Sequence, residues 1–509
     1  MTTPPVTAPE AARPARMLPD RGEALVMLAA AALVLVVLLP TLGRLSLWYD
    51  EIITSDAAQL SLPALIVERL KRGHFPTYFA FVKLLGLAGT SEFWLRLPSA
   101  LFSAGAASLL ALVAIRFLGP IATVATAILY AALPIMIEYG QEARPYTAML
   151  FFLSLALLAH LSMLAGRPGF ARYGTLATIG AIGAALAIPA GIVAVALQHA
   201  ALVACGIRSA PEAERRVWLR HLRITWIIIA IAAIGLLPNV IGQLRSEQGL
   251  KKWQVFVPFG QRLRETFRAL YGFAFETDVN RYLPAGCEAG LAIAFLALLV
   301  IGIAFGFRQR IERYLIVIAV GTPLVFVVIG SVSALVPRYL ISMMPATILL
   351  AGSAVGLLLA RPAWRLPVGA ILAAAMVPLW LQAFDTLASE RKIDWRAVSA
   401  FLHDNGVRDI ELLSTSTQIP RIFRHYQPRS DGFTYLAKGP PANPPDIIWQ
   451  AARARDVAWL ALFYTDALPA DVAAGRVVCR WRFGHFSLFV AARDAAALPA
   501  PLRDCAAKP

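Results

Sequence analysis

Trp48-Tyr49-Asp50-Glu51 follows the apolar run Ala24–Leu42 almost directly, and this junction decides how the chain is read. A run of roughly twenty apolar residues is long enough to cross a bilayer as a helix. Two adjacent carboxylates therefore sit where a membrane span meets water. An ionised acid at that depth needs free solvation or a partner, because taking it out of water is costly. One reading is a solvated helix start just outside the membrane. The other is a base in a cleft at the membrane surface, and the remainder of the chain bears on the choice.

Of the 509 residues, 58% are hydrophobic and only 15% charged, and mean hydropathy is +0.65. Apolar runs of about 18 to 25 residues recur along the chain, which excludes a soluble globular protein and marks a polytopic α-helical membrane protein. A net charge of +16 would suit nucleic acid. The positive residues instead cluster in short loops between apolar runs, a topology signal rather than a binding stripe, so no nucleic-acid partner is expected. Cys205, Cys287, Cys479 and Cys505 show no CxxC or His-rich spacing, so no metal site is read from them. Cys479 and Cys505 could pair if the tail faces an oxidising compartment.

Residues 1–22, rich in Pro, Ala and Thr, read as a disordered cytoplasmic N-terminus. About eleven transmembrane spans follow, near 24–43, 98–118, 120–139, 145–165, 173–188, 190–207, 224–243, 287–307, 313–331, 339–360 and 367–385. With the N-terminus inside, every second loop carries arginine: Arg116, then Arg167 and Arg172, then Arg208, Arg215, Arg216, Arg220 and Arg223, then Arg308, Arg310 and Arg313, then Arg361 and Arg365. That is the positive-inside pattern of a plasma-membrane protein, and an odd number of spans puts the C-terminal region outside. The transmembrane domain is thus expected over 23–385 and a small periplasmic α/β domain over 386–509. In the latter, an amphipathic helix begins at Asp394-Trp395-Arg396 with Ala397, Phe401 and Leu402 on one face. Strand-like runs follow at Asp409–Leu413, Val457–Phe463, Val477–Phe483 and Phe486–Ala491, with a Pro/Gly-rich loop at 428–446.

The unusual residues fall in the loops assigned outside. The first, 44–97, holds Asp50, Glu51, His74 and Arg96, and its segments 53–72 and 76–88 read as helices lying at the interface, broken at Gly73-His74-Phe75-Pro76. The second is Glu138 to Tyr146, with Glu142 and Arg144. The third, 245–286, is aromatic and polar, with Lys251, Lys252, Trp253, Tyr271, Glu276, Asp278 and Arg281. The fourth ends in Pro337-Arg338-Tyr339. Carboxylates and arginines on one face suit transfer from a lipid phosphate. A carboxylate withdraws the proton of an acceptor hydroxyl, and fixed guanidinium groups stabilise the phosphate charge released when the glycosidic bond breaks. Plainer roles exist for each: Arg96 and Arg144 as snorkelling side chains, His74 as a helix start, Trp253 and Tyr271 as an interfacial belt.

Trp48-Tyr49-Asp50-Glu51, Gly73-His74-Phe75-Pro76-Thr77-Tyr78-Phe79 and Ser91-Glu92-Phe93-Trp94-Leu95-Arg96-Leu97-Pro98-Ser99, taken in order, resemble the GT-C superfamily of membrane glycosyltransferases. Within it the chain resembles the branch of protein O-mannosyltransferases, aminoarabinose transferases and rhizobial galacturonosyltransferases. Gln141-Glu142-Ala143-Arg144-Pro145-Tyr146, Pro337-Arg338-Tyr339-Leu340 and Asp394-Trp395-Arg396 fit the same branch. The resemblance implies an inverting transfer from a polyprenyl-phosphate sugar to a glycolipid, glycan or protein acceptor. Asp50 would be the base and Glu51 its support. His74, Arg96, Glu142, Arg144, Tyr146 and Tyr339 would line the substrate pocket, with Arg338 facing the lipid phosphate. Two positions depart from the family pattern: Phe75 stands where a first proline is common, and Glu142 where the second-loop acid is often aspartate. No cofactor or metal is required by the sequence, although some relatives bind a divalent ion. A polytopic transporter or lipid flippase is the alternative, and a glycan ligase shares the superfold. Internal repeats and charges near the midplane would favour transport. Neither is seen here, and the charges lie at the outer edge.

Overall fold

The computed structural model describes residues 18–507 apart from 208–209, 246–257, 261–286, 308, 330–336, 389–392, 406–410, 415–417, 427–433, 437–443, 464–466 and 484–485. Lys251, Lys252, Trp253 and Tyr271 lie outside the described residues, as does most of 1–22. In chain order the helices are α1 (Arg21–Leu38), α2 (Tyr49–Gln59), α3 (Leu62–Lys71), α4 (Thr77–Leu84), α5 (Glu92–Phe117), α6 (Pro120–Ala132), α7 (Pro134–Gly140), α8 (Tyr146–Leu164), α9 (Phe170–Ala187), α10 (Ala190–Cys205), α11 (Glu212–Ile234) and α12 (Leu237–Arg245). These continue with α13 (Cys287–Gly306), α14 (Arg310–Ile329), α15 (Met344–Ala360), α16 (Pro362–Ala388), α17 (Trp395–Asp404), α18 (Ile419–Tyr426), α19 (Pro444–Ala454) and α20 (Ala470–Ala473).

The described residues of the eleven segments expected to span are mainly helical, with 120–139 and 224–243 each divided between two helices. Six described helices are long and apolar enough to cross a membrane by length and composition, and α6 with α7 makes a seventh if that pair, bent by 60°, counts as one span. The bend has a local cause: Pro134 opens α7, and Leu133 between the two helices is extended. The expected interfacial helix over 53–72 is two helices. Pro63 stands in the first turn of α3, behind Ser61 as its N-cap, so the chain restarts there.

The chain divides into two compact units. The first comprises Met1–Pro40, Leu60–Gly86 and Arg96–Asp385; the second comprises Thr41–Gln59, Leu87–Leu95 and Thr386–Pro509. In the first unit α8 is apolar all round and 83% of its most hydrophobic window is buried, whereas α1 and α11 bury only 22% of theirs. A helix apolar on nearly every side belongs in the interior, so α8 is central and α1 and α11 are peripheral. Small residues let it be crowded. A Cβ on Gly180 of α9 would stand 2.6 Å from the Ala156 backbone nitrogen of α8, so those two helices meet backbone to backbone. Arg116 does more than mark topology: its side chain, almost wholly buried, holds the Glu23 carboxylate through two nitrogens at 2.8 and 2.7 Å.

The second unit holds a five-stranded sheet of β1 (Glu411–Ser414), β2 (Thr434–Leu436), β3 (Val457–Phe463), β4 (Val477–Phe483) and β5 (Phe486–Ala492), in the order β2-β1-β3-β5-β4. β1 runs parallel to β2 and β3, while β5 is antiparallel to β3 and β4. Val-Ala-Trp-Leu-Ala-Leu-Phe is apolar throughout because β3 is the middle strand. Ala458, Leu460 and Leu462 join Leu413, Phe489 and the α19 residues Ile448 and Ala452 in its core. β2 and α19 both begin within the stretch expected to be loop. The buried face of α17 is also a correction: it is Trp395, Val398, Ser399 and Leu402, with Ala397 and Phe401 only partly covered. Cys479 of β4 is disulfide-bonded.

Candidate active site

In the first unit, three of the stretches singled out in sequence meet. Tyr78 of α4 and Ser99 of α5 share a hydrogen bond of 2.7 Å between hydroxyls, and the Ser99 hydroxyl is also 3.2 Å from the Arg144 carbonyl oxygen, which can only accept. Both side chains are buried. Arg96 lies one turn before Ser99 on the same face of α5, and is 2% exposed. Burying so large a cation requires compensating partners, which makes it a poor candidate for a snorkelling side chain.

The turn between α7 and α8 is buried throughout, from Gln141 to Tyr146. It is held at the end of α1. A Cβ on Gly140 would come within 2.7 Å of Leu38 Cδ1, and Gln141 Nε2 donates to the Leu38 carbonyl at 2.9 Å. Glycine is therefore what lets α7 close on α1 and fixes where Glu142 and Arg144 stand. Both are buried, at 3% and 4% exposure. Tyr146 opens α8 with its ring edge-on to Tyr139, centroids 4.8 Å apart.

Phe79 ties this turn to α3 and α4. The Arg69 guanidinium lies 4.9 Å from its ring centre and that of Arg144 6.0 Å, and the His74 ring is 6.3 Å away. Two cations sharing one aromatic ring draw on its negative faces. Arg69 is 2% exposed and ion-paired with Glu68. It carries no signal in the sequence. It sits in a charged run with Lys71 and Arg72, and nothing in the run distinguishes the inward-facing residue from its two neighbours.

Arg338 and Tyr339 belong to the tight helical turn Pro337–Met343, which packs on α8, α10, α14 and α15. Tyr339 is half-buried; the Arg338 side chain lies outside the described residues. Asp50 and Glu51 belong to the second unit, in the first turn of α2. Glu51 is fully buried, and its Oε2 accepts from the Trp48 backbone N–H at 3.2 Å, while Asp50 is half-buried. The stretch leading to them is anchored to distant residues of the same unit. Ser46 donates to Asp394 at 2.6 Å, and the Leu47 N–H donates to the Tyr426 hydroxyl at 2.6 Å. The Tyr426 hydroxyl in turn donates to Glu92 at 3.2 Å. Asp56 at the far end of α2 is paired with Arg421 at 2.6 Å. Burial opposes the charge of Arg421, but the bond to Asp56 outweighs it and holds the guanidinium above its ordinary pKa. Asp394-Trp395-Arg396 thus serves a local structural role, in which Asp394 caps α17 and holds Ser46, and Arg396 reaches the Gly43 carbonyl at 3.3 Å.

No family model and no curated protein matches this sequence. Solved structures do match in fold. ArnT from Cupriavidus metallidurans in the apo state superposes with a TM-score of 0.56 at 14% identity, over 92% of this chain and 98% of that one. The same protein bound to undecaprenyl phosphate gives 0.52 at 15% identity, over 93% and 98%. The arabinofuranosyltransferase AftD from Mycobacteria gives 0.52 at 14% identity over 94% of this chain; the match takes in 40% of AftD, which is much the longer protein. At such identities the likeness lies in the fold, and it extends over nearly the whole chain. The chain therefore has the fold of ArnT, shared with part of AftD.

Proposed function

We propose that this protein transfers a sugar from a polyprenyl-phosphate donor to an acceptor hydroxyl or phosphate on the periplasmic face of the inner membrane. One observation carries the reading: a fold shared end to end with ArnT, a protein solved with undecaprenyl phosphate bound. The fold does not favour the transporter alternative. In the proposed reaction Asp50 takes the acceptor proton as its oxygen attacks the anomeric carbon, and the bond from that carbon to the phosphate oxygen breaks with inversion. The lipid phosphate leaves with the bonding pair. Arg69, Arg96, Arg144 and Arg338 stabilise its charge, and Glu51 holds the helix start that carries Asp50. His74, Glu142, Tyr146 and Tyr339 complete the substrate pocket. The scheme needs no cofactor, the arginines standing where a divalent ion would otherwise serve.

Membrane orientation belongs to the same proposal. Arginine-rich loops put the N-terminus in the cytoplasm, and the disulfide-bonded Cys479 suits an oxidising periplasm for the C-terminal unit. A direct test uses the purified chain in lipid nanodiscs, given polyprenyl-phosphate sugars and an envelope glycolipid extract, which should move sugar from the donor to an acceptor. Failure across pentosyl and hexosyl donors would remove the reading. A reporter fused at residue 400 should be active only in the periplasm.

A further inference from the structure

We propose that His160, His199 and His221 bind a divalent transition metal of the zinc class inside the helical bundle, away from the candidate active site. The three histidines come from three helices, α8, α10 and α11, and one ring nitrogen of each lies within 4.8 Å of the others. All three are buried. His160 is ~21 Å along α8 from Tyr146 at 1.5 Å per residue, so the cluster and the Glu142–Arg144 turn lie toward opposite ends of the same central helix.

The geometry is close to what a tetrahedral ion requires. The His160 and His221 Nε2 atoms are 3.0 Å apart. Two imidazoles on one zinc at 2.0–2.1 Å bonds have their nitrogens ~3.3 Å apart. Without an ion, one Nε2 must carry a proton toward the other; with an ion, both lone pairs turn to the metal. The opposite nitrogens are already occupied. His160 Nδ1 is 2.7 Å from the Tyr314 hydroxyl of α14, and His221 Nδ1 is 2.9 Å from the Thr178 hydroxyl of α9 and 3.4 Å from that of Thr225. A histidine that gives its Nδ1–H to an outer partner presents a bare Nε2 inward, which is how metal-bound histidines are oriented.

His199 supplies the second, independent observation. It is 4% exposed, and among the described residues neither of its ring nitrogens has a hydrogen-bond partner. Its ring stands 4.9 Å from that of His221 and 5.8 Å from that of His160, centre to centre. Leaving both nitrogens of a buried imidazole unsatisfied is costly, and a third bond to a shared ion removes the cost. A hydrogen-bonded core network would account for His160 and His221 but leaves His199 without a reason. Three protein ligands leave a fourth position for water. The ion would clamp α8, α10 and α11 together, with α9 and α14 held through Thr178 and Tyr314.

Full-length protein, free of any histidine tag and purified without chelator, should carry about one zinc per chain by elemental analysis. His199→Gln should lose it while keeping volume and polarity; His403→Ala, an exposed histidine outside the cluster, should retain it. After the metal is stripped, Co²⁺ should produce the intense visible bands of four-coordinate nitrogen ligation in the unaltered chain and not in His199→Gln. Added Zn²⁺ should raise the unfolding temperature of the first and leave the second unchanged. No metal on the purified chain together with only the weak spectrum of hydrated Co²⁺ would overturn the proposal, as would equal binding by His199→Gln.

Discussion

The Tyr78 and Ser99 hydroxyls stand 2.7 Å apart, and through the Arg144 carbonyl they join α4, α5 and the turn before α8. Ser99→Ala should remove the hydrogen bonds that Ser99 makes with the buried Tyr78 hydroxyl and the Arg144 carbonyl, costing about 1–3 kcal/mol. Ser99→Thr should restore most of that. Thermal unfolding of the purified variants in nanodiscs measures it; an unchanged midpoint for Ser99→Ala would show that the junction does not depend on this hydroxyl.

Arg69 and Arg144 both approach the Phe79 ring, and the proposed chemistry assigns both to the donor phosphate. Arg69→Ala, Arg144→Ala and Arg338→Ala should each lower kcat/KM for the lipid-linked sugar by about 10²–10³-fold, the usual scale for removing one fixed donor to a developing charge. Arg223→Ala, on α11, should have little effect. Equal losses at all four positions would point to structure rather than chemistry.

Gly140 admits α7 to within contact of Leu38. Gly140→Ala should strain that approach by about 1–3 kcal/mol. Pairing it with Leu38→Ala should recover part of the loss, because the atom in conflict is removed. A double-variant cycle in thermal unfolding reads the coupling, and strict additivity would contradict it.

His425 of α18 gives the second unit a pH dependence. Burial pushes its imidazole below the ordinary histidine range, and the nearby Asp56 and Glu92 offset this only in part. The unfolded chain therefore binds the proton more readily than the folded one. Stability from this group is full above the unfolded pKa and is lost as pH falls through about 6.5 toward the folded value. Unfolding followed by tryptophan fluorescence should show a drop between pH 7 and pH 5 that is smaller in His425→Gln. The same drop in that variant would assign the effect elsewhere.

Hydropathy carried most of the fold: the described residues of the apolar segments are mainly helical, and the expected runs Val457–Phe463 and Val477–Phe483 coincide with β3 and β4. β2 was hidden because it has three residues among prolines and glycines. The pairing of His74 and Phe79 with Arg144 rests on short motifs that the resemblance had picked out, whereas Arg69 had no such signal. Long-range bonds were beyond reach as well. Ser46 meets Asp394, and Asp56 meets Arg421, so Asp50 belongs to a unit built mainly from residues beyond 386. No local spacing announces such pairs. His160, His199 and His221 escaped for the same reason, one histidine on each of three helices.

Sugar transfer in this scheme depends on Asp50 removing the acceptor proton. Asp50→Asn preserves size and hydrogen bonding but lacks the base, so the purified variant should insert and unfold like the unaltered chain, bind the polyprenyl-phosphate donor and transfer sugar at least about 10²-fold more slowly. Transfer at the unaltered rate by that folded variant would contradict the account.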